Sequence, residues 1–143
     1  MNLDKILSIS GKPGLYELIS RSKGGFIVKS LDTDKKTAVS MRQNISVLGE
    51  IAIFTYDDEI PLYKVFQKMA EKESNQAAID HKSSSNELKS YFQEVLPEYD
   101  EDSVYVSNIK KVILWYNSLI EKGITEFEAE KVQEKEKKDN NAQ

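Results

Sequence analysis

Residues 51–61 read Ile-Ala-Ile-Phe-Thr-Tyr-Asp-Asp-Glu-Ile-Pro, and the character of the sequence changes within this stretch. Before it, short apolar and β-branched runs alternate with polar turns, a pattern that predicts β-strands. After Pro61, apolar residues recur at spacings of three and four, which predicts amphipathic helices. The acids Asp57, Asp58 and Glu59 would then lie near the positive end of the first helix dipole, with Pro61 in its first turn.

Five short strands are predicted on the amino-terminal side of this change, at residues 15–19, 26–28, 37–41, 45–47 and 51–56. The glycines of Ser-Lys-Gly-Gly at 22–25 suit the left-handed backbone of a tight hairpin between the first two strands. Several of the strands carry apolar residues on both faces, which favours a small closed barrel whose outer face is partly covered. We therefore expect an α+β protein that begins with a five-stranded SH3-like β-barrel over residues 1–57.

Three helices are predicted on the carboxyl-terminal side. The first ends near Glu73, and the second begins at Ser84, which forms a capping box with Glu87 and is followed by Pro97 as a stop. Each helix has one apolar stripe. The first two stripes are Leu62, Val65, Phe66 and Met69, and then Leu88, Tyr91, Phe92 and Val95.

The third helix has the longest stripe and is followed by a charged segment. Asp102 or Ser103 is its expected cap, and Gly123 is well placed just past its end. Glu and Lys alternate after that point with little to bury, which predicts a charged disordered tail over 126–143 and a helical module over 58–125. The third stripe is Tyr105, Ile109, Val112, Ile113, Tyr116, Leu119 and Ile120.

The composition excludes several classes of function. The chain has 143 residues, no Cys and a single histidine, His81. Without Cys there are no disulfides, no thiolate zinc sites and no Cys nucleophile, and one His leaves little room for His-based metal sites or catalysis. No apolar run approaches the roughly 20 residues that span a bilayer. We therefore expect a cytoplasmic protein with no metal, no cofactor and no membrane association.

Two kinds of motif resemble ligand-binding loops but fail on spacing. Residues 10–14, Ser-Gly-Lys-Pro-Gly, lack the two bracketing glycines and the following helix of a phosphate-binding loop. The acidic runs at 32–36 and 100–102 lack the closing Glu of a twelve-residue calcium loop. Since no catalytic constellation passes this test, we expect that the protein is not an enzyme.

Charge is distributed unevenly along the chain. Residues 1–47 carry a net charge of +4, whereas the remainder carries −8. Arg21 and Lys23 lie at the tip of the first predicted hairpin, and Lys35 and Lys36 at the next turn. Small barrels that bind single-stranded nucleic acid use cations of this kind to contact phosphates, and Tyr16 and Phe26 would be available for stacking on bases. Lysines at the ends of β-strands, however, also protect sheet edges from aggregation.

Trp115 is a further candidate contact residue. It lies one position away from the apolar stripe of the third helix, so it either flanks the core or marks a contact surface.

The chain resembles an uncharacterised bacterial family of small two-module proteins. Its first 56 residues, with the segment at 10–16 and the Gly24-Gly25 hairpin, look like an SH3-like barrel. The helical module matches the more specific part of the pattern through Val-Tyr-Val-Ser at 104–107, Lys-Lys at 110–111 and Trp-Tyr-Asn at 115–117. The resemblance covers about residues 1–122 and implies no catalytic residues, and SH3-like barrels serve peptide, RNA and DNA binding alike.

Two functions follow as hypotheses. The first is a non-catalytic adaptor that binds another protein, because a chain with a pI near 5.2 is repelled by nucleic acid at long range. The second is binding of RNA or single-stranded DNA through the basic barrel, with contacts from Arg21, Lys23, Lys35 and Lys36. Convergence of these four cations on one face of the barrel would favour the second hypothesis.

Overall fold

A computed structural model describes residues 2–12, 14–40 and 42–129, which form two compact units. The sheet unit consists of Asn2–Ile51 together with the segment that starts at Glu128. The helical unit consists of Ala52–Phe127. The division therefore falls between residues 51 and 52, six residues before the expected end of the barrel module at residue 57.

The sheet unit contains one antiparallel sheet of five strands in the order β4-β3-β2-β1-β5. Strands β1 to β4 follow one another as a meander, and β5 then returns to pair with β1, where Leu7 lies opposite Val47. The α+β class and the five-stranded sheet are thus confirmed. The strands are β1 (Ile6–Ile9), β2 (Leu15–Ser22), β3 (Gly25–Ser30), β4 (Lys36–Ser40) and β5 (Ile45–Val47).

The membership of this sheet differs from the prediction at two strands. Ile6–Ile9 forms β1, which is not among the predicted strands, and the predicted strand at 51–56 does not join this sheet. A 3-10 turn at Leu48–Glu50 follows β5, and the next strand pairs elsewhere. A short apolar run predicts a strand but does not specify which strand it pairs with. The sequence therefore could not show which runs form the five-stranded sheet.

The five-stranded sheet is curled but open. Leu7 of β1 and Val39 of β4 belong to the same buried cluster, together with Ile9 and Val28. In a flat sheet β1 and β4 would be about 14 Å apart, so the sheet must bend to bring these side chains together. Among the described residues no hydrogen-bonded ladder joins β4 to β5, so the expected closed barrel is corrected to an open, curled sheet.

The hairpin between β2 and β3 has a two-residue turn, Lys23-Gly24, because Ser22 pairs with Gly25. Neither Gly24 nor Gly25 adopts a left-handed backbone, which differs from the expectation. Gly25 is required for another reason. A Cβ at this position would collide with the backbone carbonyl of Val39 on β4, whereas a Cβ on Gly24 would meet nothing.

The helical unit begins with a small hairpin rather than directly with a helix. Strand β6 (Ala52–Phe54) pairs with β7 (Glu59–Pro61), and the chain turns between them with the Thr55 amide bonded to the Asp58 carbonyl at 2.8 Å. The acids of this turn therefore do not begin a helix. Pro61 ends β7 and caps the first helix instead of lying inside it.

The three helices are α1 (Leu62–Glu73), α2 (Ser85–Val95) and α3 (Val106–Glu121). The predicted stripes of α1 and α2 are buried in full. Ser84 caps α2 as predicted, since its hydroxyl accepts a hydrogen bond from the Glu87 amide at 3.2 Å. The periodicity therefore identified the core-facing sides of these helices correctly.

Helix α3 begins later than predicted and ends where predicted. Tyr105, not Asp102 or Ser103, is the N-cap residue, and its amide donates to the Asn108 side chain at 2.9 Å. Tyr105 is consequently 63% exposed and does not belong to the buried stripe. At the other end Gly123 has a φ of +79°, the left-handed conformation of a helix stop.

The segment after α3 packs before the described chain ends. Phe127 is 3% exposed, and its ring centroid lies 5.3 Å from that of Phe66. The Gln67 side-chain amide also donates to the Phe127 carbonyl at 2.8 Å. Residues 126–129 are described and two of them are buried, so the expected disordered tail over 126–143 is corrected at its start. The rest of that expected tail, residues 130–143, lies outside the described residues.

The close approach of β3 and β4 gives a matched pair of variants. We expect Gly25→Ala to destabilise the protein by about 1–3 kcal/mol, because the added methyl group must push β3 away from the Val39 carbonyl. Gly24→Ala should change stability by less than about 0.5 kcal/mol. Urea unfolding followed by far-ultraviolet circular dichroism measures both; equal midpoints for the two variants would contradict the contact.

The packing of Phe127 gives a second prediction. Phe127→Ala should lower the unfolding free energy by about 3–5 kcal/mol, because it empties a site among aromatic rings. Thr125→Ala, at an exposed position two residues earlier, should have almost no effect. Urea unfolding followed by the fluorescence of Trp115 reports on this unit, and an unchanged midpoint for Phe127→Ala would contradict the burial.

Candidate binding site

The sheet unit contains a cavity of about 320 Å³ on the concave face of its curled sheet. Its apolar lining comes from four strands, β1, β2, β3 and β5, and polar residues complete the lining. We call this the sheet pocket. The apolar residues are Leu7, Leu18, Phe26, Ile45 and Val47, and the polar residues are Asp4, Arg21, Gln43 and Glu50.

A β-bulge in β2 directs Arg21 toward this pocket. Leu18 pairs with Val28 and Ser20 with Ile27, so Ile19 is the extra residue between them. Without the extra residue Arg21 would fall on the opposite face of the sheet, because side chains alternate along a strand. With it, Arg21 lies directly opposite Phe26 and shares the face of Leu18.

Arg21 is held at the mouth of the sheet pocket by an aromatic contact. Its guanidinium carbon lies 5.7 Å from the centroid of the Phe26 ring, a cation–π arrangement. The side chain is nevertheless exposed to solvent. A contact with the ring does not use up the five N–H donors of a guanidinium, so these donors can still bind an acceptor.

The four cations singled out in the sequence do not converge. Arg21 pairs with Phe26, and Lys36 pairs with Lys29, which lies three residues further along β3. Two positions that are three residues apart along a strand are separated by about 10 Å, and their side chains lie on opposite faces of the sheet. Lys35 lies beside Lys36, and Lys23 lies in the turn beyond Arg21, so the set is divided between the two ends of β3.

Trp115 lies on α3 and is half-buried. Its exposure agrees with the core-flanking alternative better than with an open contact surface. The most exposed large aromatics of the helical unit are instead Phe54, Tyr56 and Tyr105.

Two acidic segments of the helical unit lie next to each other. The Tyr56 amide donates to the Glu98 carbonyl at 3.1 Å, and the Asp100 amide donates to the Phe54 carbonyl at 2.9 Å. The acids at 57–59 and 98–102, which are far apart in the sequence, therefore flank the same pair of exposed aromatic residues.

A second cavity, of about 380 Å³, lies on the helical unit and is open to solvent. Tyr91 in its wall donates a hydrogen bond to a carboxylate oxygen of Glu73 at 2.6 Å. Burial, followed by this hydrogen bond, raises the pKa of the Tyr91 phenol well above its ordinary value. Its remaining lining residues are Ile79, Asn86, Glu87, Ser90 and Glu94, and more of the lining surface is apolar than polar. Tyr91 is therefore neutral and already engaged within the fold.

Two further observations concern metals and membranes. Within residues 2–12, 14–40 and 42–129, no three His, Asp or Glu side chains are placed to hold a metal ion. In the same ranges no helix has the length and the apolar character that crossing a membrane requires.

Sequence comparison divides the chain in the same way as the structure. Residues 3–48 match the family model "Domain of unknown function (DUF5606)", and residues 51–119 match "Domain of unknown function (DUF6852)". The first match covers β1 to β5, and the second covers β6 to most of α3. No curated protein matches the chain.

A solved structure is similar to the chain over most of its length. The solution NMR structure of a protein from Bacteroides vulgatus is 44% identical in sequence and superposes with a TM-score of 0.74. The match covers 89% of this chain and 92% of that one. The resemblance seen in the sequence therefore extends to a bacterial relative with the same overall fold.

The buried tyrosines predict a loss of stability at high pH. Burial raises the pKa of the Tyr116 phenol to about 12, and its hydroxyl donates to the Gln76 carbonyl at 2.8 Å. Between pH 10 and about 12 the unfolded chain releases this proton and the folded chain keeps it, so the unfolding free energy falls as the pH rises. Below that window the contribution of Tyr116 is constant.

Tyr116→Phe should make this dependence shallower, because the share of Tyr116 is removed while that of Tyr91 remains. Tyr105→Phe, at an exposed position, is the matched control and should leave the wild-type slope unchanged. The test is to measure the urea midpoint by circular dichroism from pH 9 to pH 12, in pH steps of about half a unit. Parallel curves for Tyr116→Phe and the wild type would contradict it.

Proposed function

This chain belongs to the same bacterial family as the Bacteroides vulgatus protein, and both domains that it matches are of unknown function. We therefore propose a function from the site that the structure describes. In this proposal the chain is a non-catalytic protein that binds a segment of another protein. The sheet pocket is the binding site. One observation carries the proposal, namely that apolar side chains from four strands line one cavity together with a few polar residues.

The size and lining of the sheet pocket suit a single large side chain. Its volume of about 320 Å³ is at the lower end of the range for ligand pockets, roughly 300–1,000 Å³. Leu7, Leu18 and Val47 in its wall would bury an aliphatic or aromatic group and exclude water from it. The polar lining residues would contact the backbone of an extended segment beside that anchor. A pocket of this kind works by complementarity and requires no reacting group.

The division of the cations supports a protein partner over a nucleic acid. Proteins that bind single strands combine a continuous cationic groove with several stacking aromatics. Here Lys35 and Lys36 lie at the other end of β3 from Arg21, and Phe26 is already covered by the guanidinium. A phosphate backbone would therefore meet separate charges rather than a track.

The connectivity of the sheet supports an SH3-like architecture. In our proposal β1 to β4 and the return of β5 to β1 form a partly open SH3-like barrel, and the sheet pocket lies in its open mouth. The pocket would then be formed by the fold itself, before any partner arrives. Such preformed sites keep the entropic cost of binding low.

The proposal is tested by NMR titration of the ¹⁵N-labelled full chain with a capped peptide, Ser-Gly-Phe-Gly-Ser. We expect the amides of residues around Leu18, Phe26 and Val47 to shift, with a dissociation constant on the order of 1 mM for a single anchor. The peptide Ser-Gly-Gly-Gly-Ser should shift none of them. Absence of shifts with both peptides would reject the pocket as the site.

A pair of neighbouring variants controls for unfolding. Ile45→Ser removes part of the apolar floor and should weaken binding of the phenylalanine peptide at least about threefold. Ser46→Ala, on the opposite face of β5, should bind like the wild type. Retained dispersion of the NMR spectrum shows that each variant is folded.

The nucleic-acid alternative is tested in the same samples with a uridine decamer at about 50 and about 200 mM salt. Protein binding as proposed predicts no shift of the pocket amides at either salt concentration. Shifts of these amides that weaken steeply with salt would favour the alternative.

A further inference from the structure

We infer that Arg21 makes the sheet pocket selective for an acidic partner segment, one in which an aspartate or glutamate adjoins the apolar anchor residue. The inference rests on the proposed function, because it concerns the chemistry of the segment that the pocket receives. It assigns a specific role to one residue, capture of a carboxylate at the mouth of the pocket.

The geometry of β2 supports this role. The Ile19 bulge reverses the face on which Arg21 lies and so moves its charge from the outer surface to the mouth of the pocket. The Phe26 ring then restrains the guanidinium at 5.7 Å. A restrained guanidinium loses less conformational freedom on binding than a mobile one, and its planar fork matches the two oxygens of a carboxylate.

The charge near this side of the mouth is complementary to an acid. Lys23 lies in the turn two residues after Arg21, and Arg42 immediately precedes Gln43 of the pocket lining. Both side chains are exposed. Three cations thus lie on the segments that border one side, and they would attract an acidic segment at long range.

Asp4 and Glu50 also line the sheet pocket, and both already take part in interactions within the fold. Among the described residues that line the pocket, Arg21 is the one cation. It is therefore the lining residue that could pair with a carboxylate of a bound segment.

The experiment compares three capped peptides that differ at one position next to the anchor: Ser-Asp-Phe-Gly-Ser, Ser-Asn-Phe-Gly-Ser and Ser-Lys-Phe-Gly-Ser. We expect the full chain to bind the aspartate peptide about five- to tenfold more tightly than the asparagine peptide, the size of one charge-assisted hydrogen bond in a partly exposed site. The lysine peptide should bind most weakly. NMR titration gives both the affinity and the location of each peptide.

Arg21→Gln should bind the aspartate and asparagine peptides equally. Lys36→Gln removes the same charge on the opposite face of the sheet and should keep the wild-type preference. A preference that survives in Arg21→Gln, or that is lost in Lys36→Gln, would overturn the assignment to Arg21.

The outcomes separate the two proposals. Equal binding of all three peptides to the wild type, with shifts at Leu18 and Val47, rejects acid selectivity and leaves the apolar pocket in place. Absence of pocket shifts with every peptide rejects the proposed function itself. Binding of the uridine decamer at the pocket that disappears in Arg21→Gln would reassign the arginine to phosphate recognition.

Discussion

The short connection between β4 and β5 is the constraint on which the sheet unit depends. Ser40 ends β4 and Ile45 begins β5, so five peptide units must span the gap, at most about 18 Å. In a flat sheet of the observed order and register these residues would be about 30 Å apart. The sheet must therefore curl, and the curl produces both the buried cluster and the open mouth in which the pocket lies.

The helical unit could be predicted from the sequence more completely than the sheet unit. A stripe such as Leu62, Val65, Phe66 and Met69 encodes its own buried face, because the helix period is local. A strand needs a partner that the local sequence does not specify, and so the run at 51–56 was assigned to the wrong sheet. The acids at 57–59 were misassigned for a related reason, since acidic residues are equally common in turns and at helix starts.

The candidate site was predicted only in part. Arg21 could be identified from charge and from its place beside a hairpin, but its separation from Lys36 depends on strand register. The face of Arg21 is set by one extra residue in β2, and no turn residue or break in pattern marks that bulge in the sequence. Leu7 and Val47 were missed as pocket residues because they meet only through the pairing of β1 with β5. Apolar alternation from Leu7 to Ile9 was the one local signal available.

The bulge also has a cost for folding, which bears on its role. Ile19 is 43% exposed, although burying an isoleucine side chain would stabilise the protein by up to about 2–3 kcal/mol. A regular strand would instead pair Ile19 with Ile27 and place Arg21 opposite Gly25, on the outer face. The observed register gives up that apolar cross-strand pair and places a cation over Phe26 at the mouth of an apolar pocket. The loss of that apolar pair is consistent with our proposal that Arg21 recognises a charged partner segment.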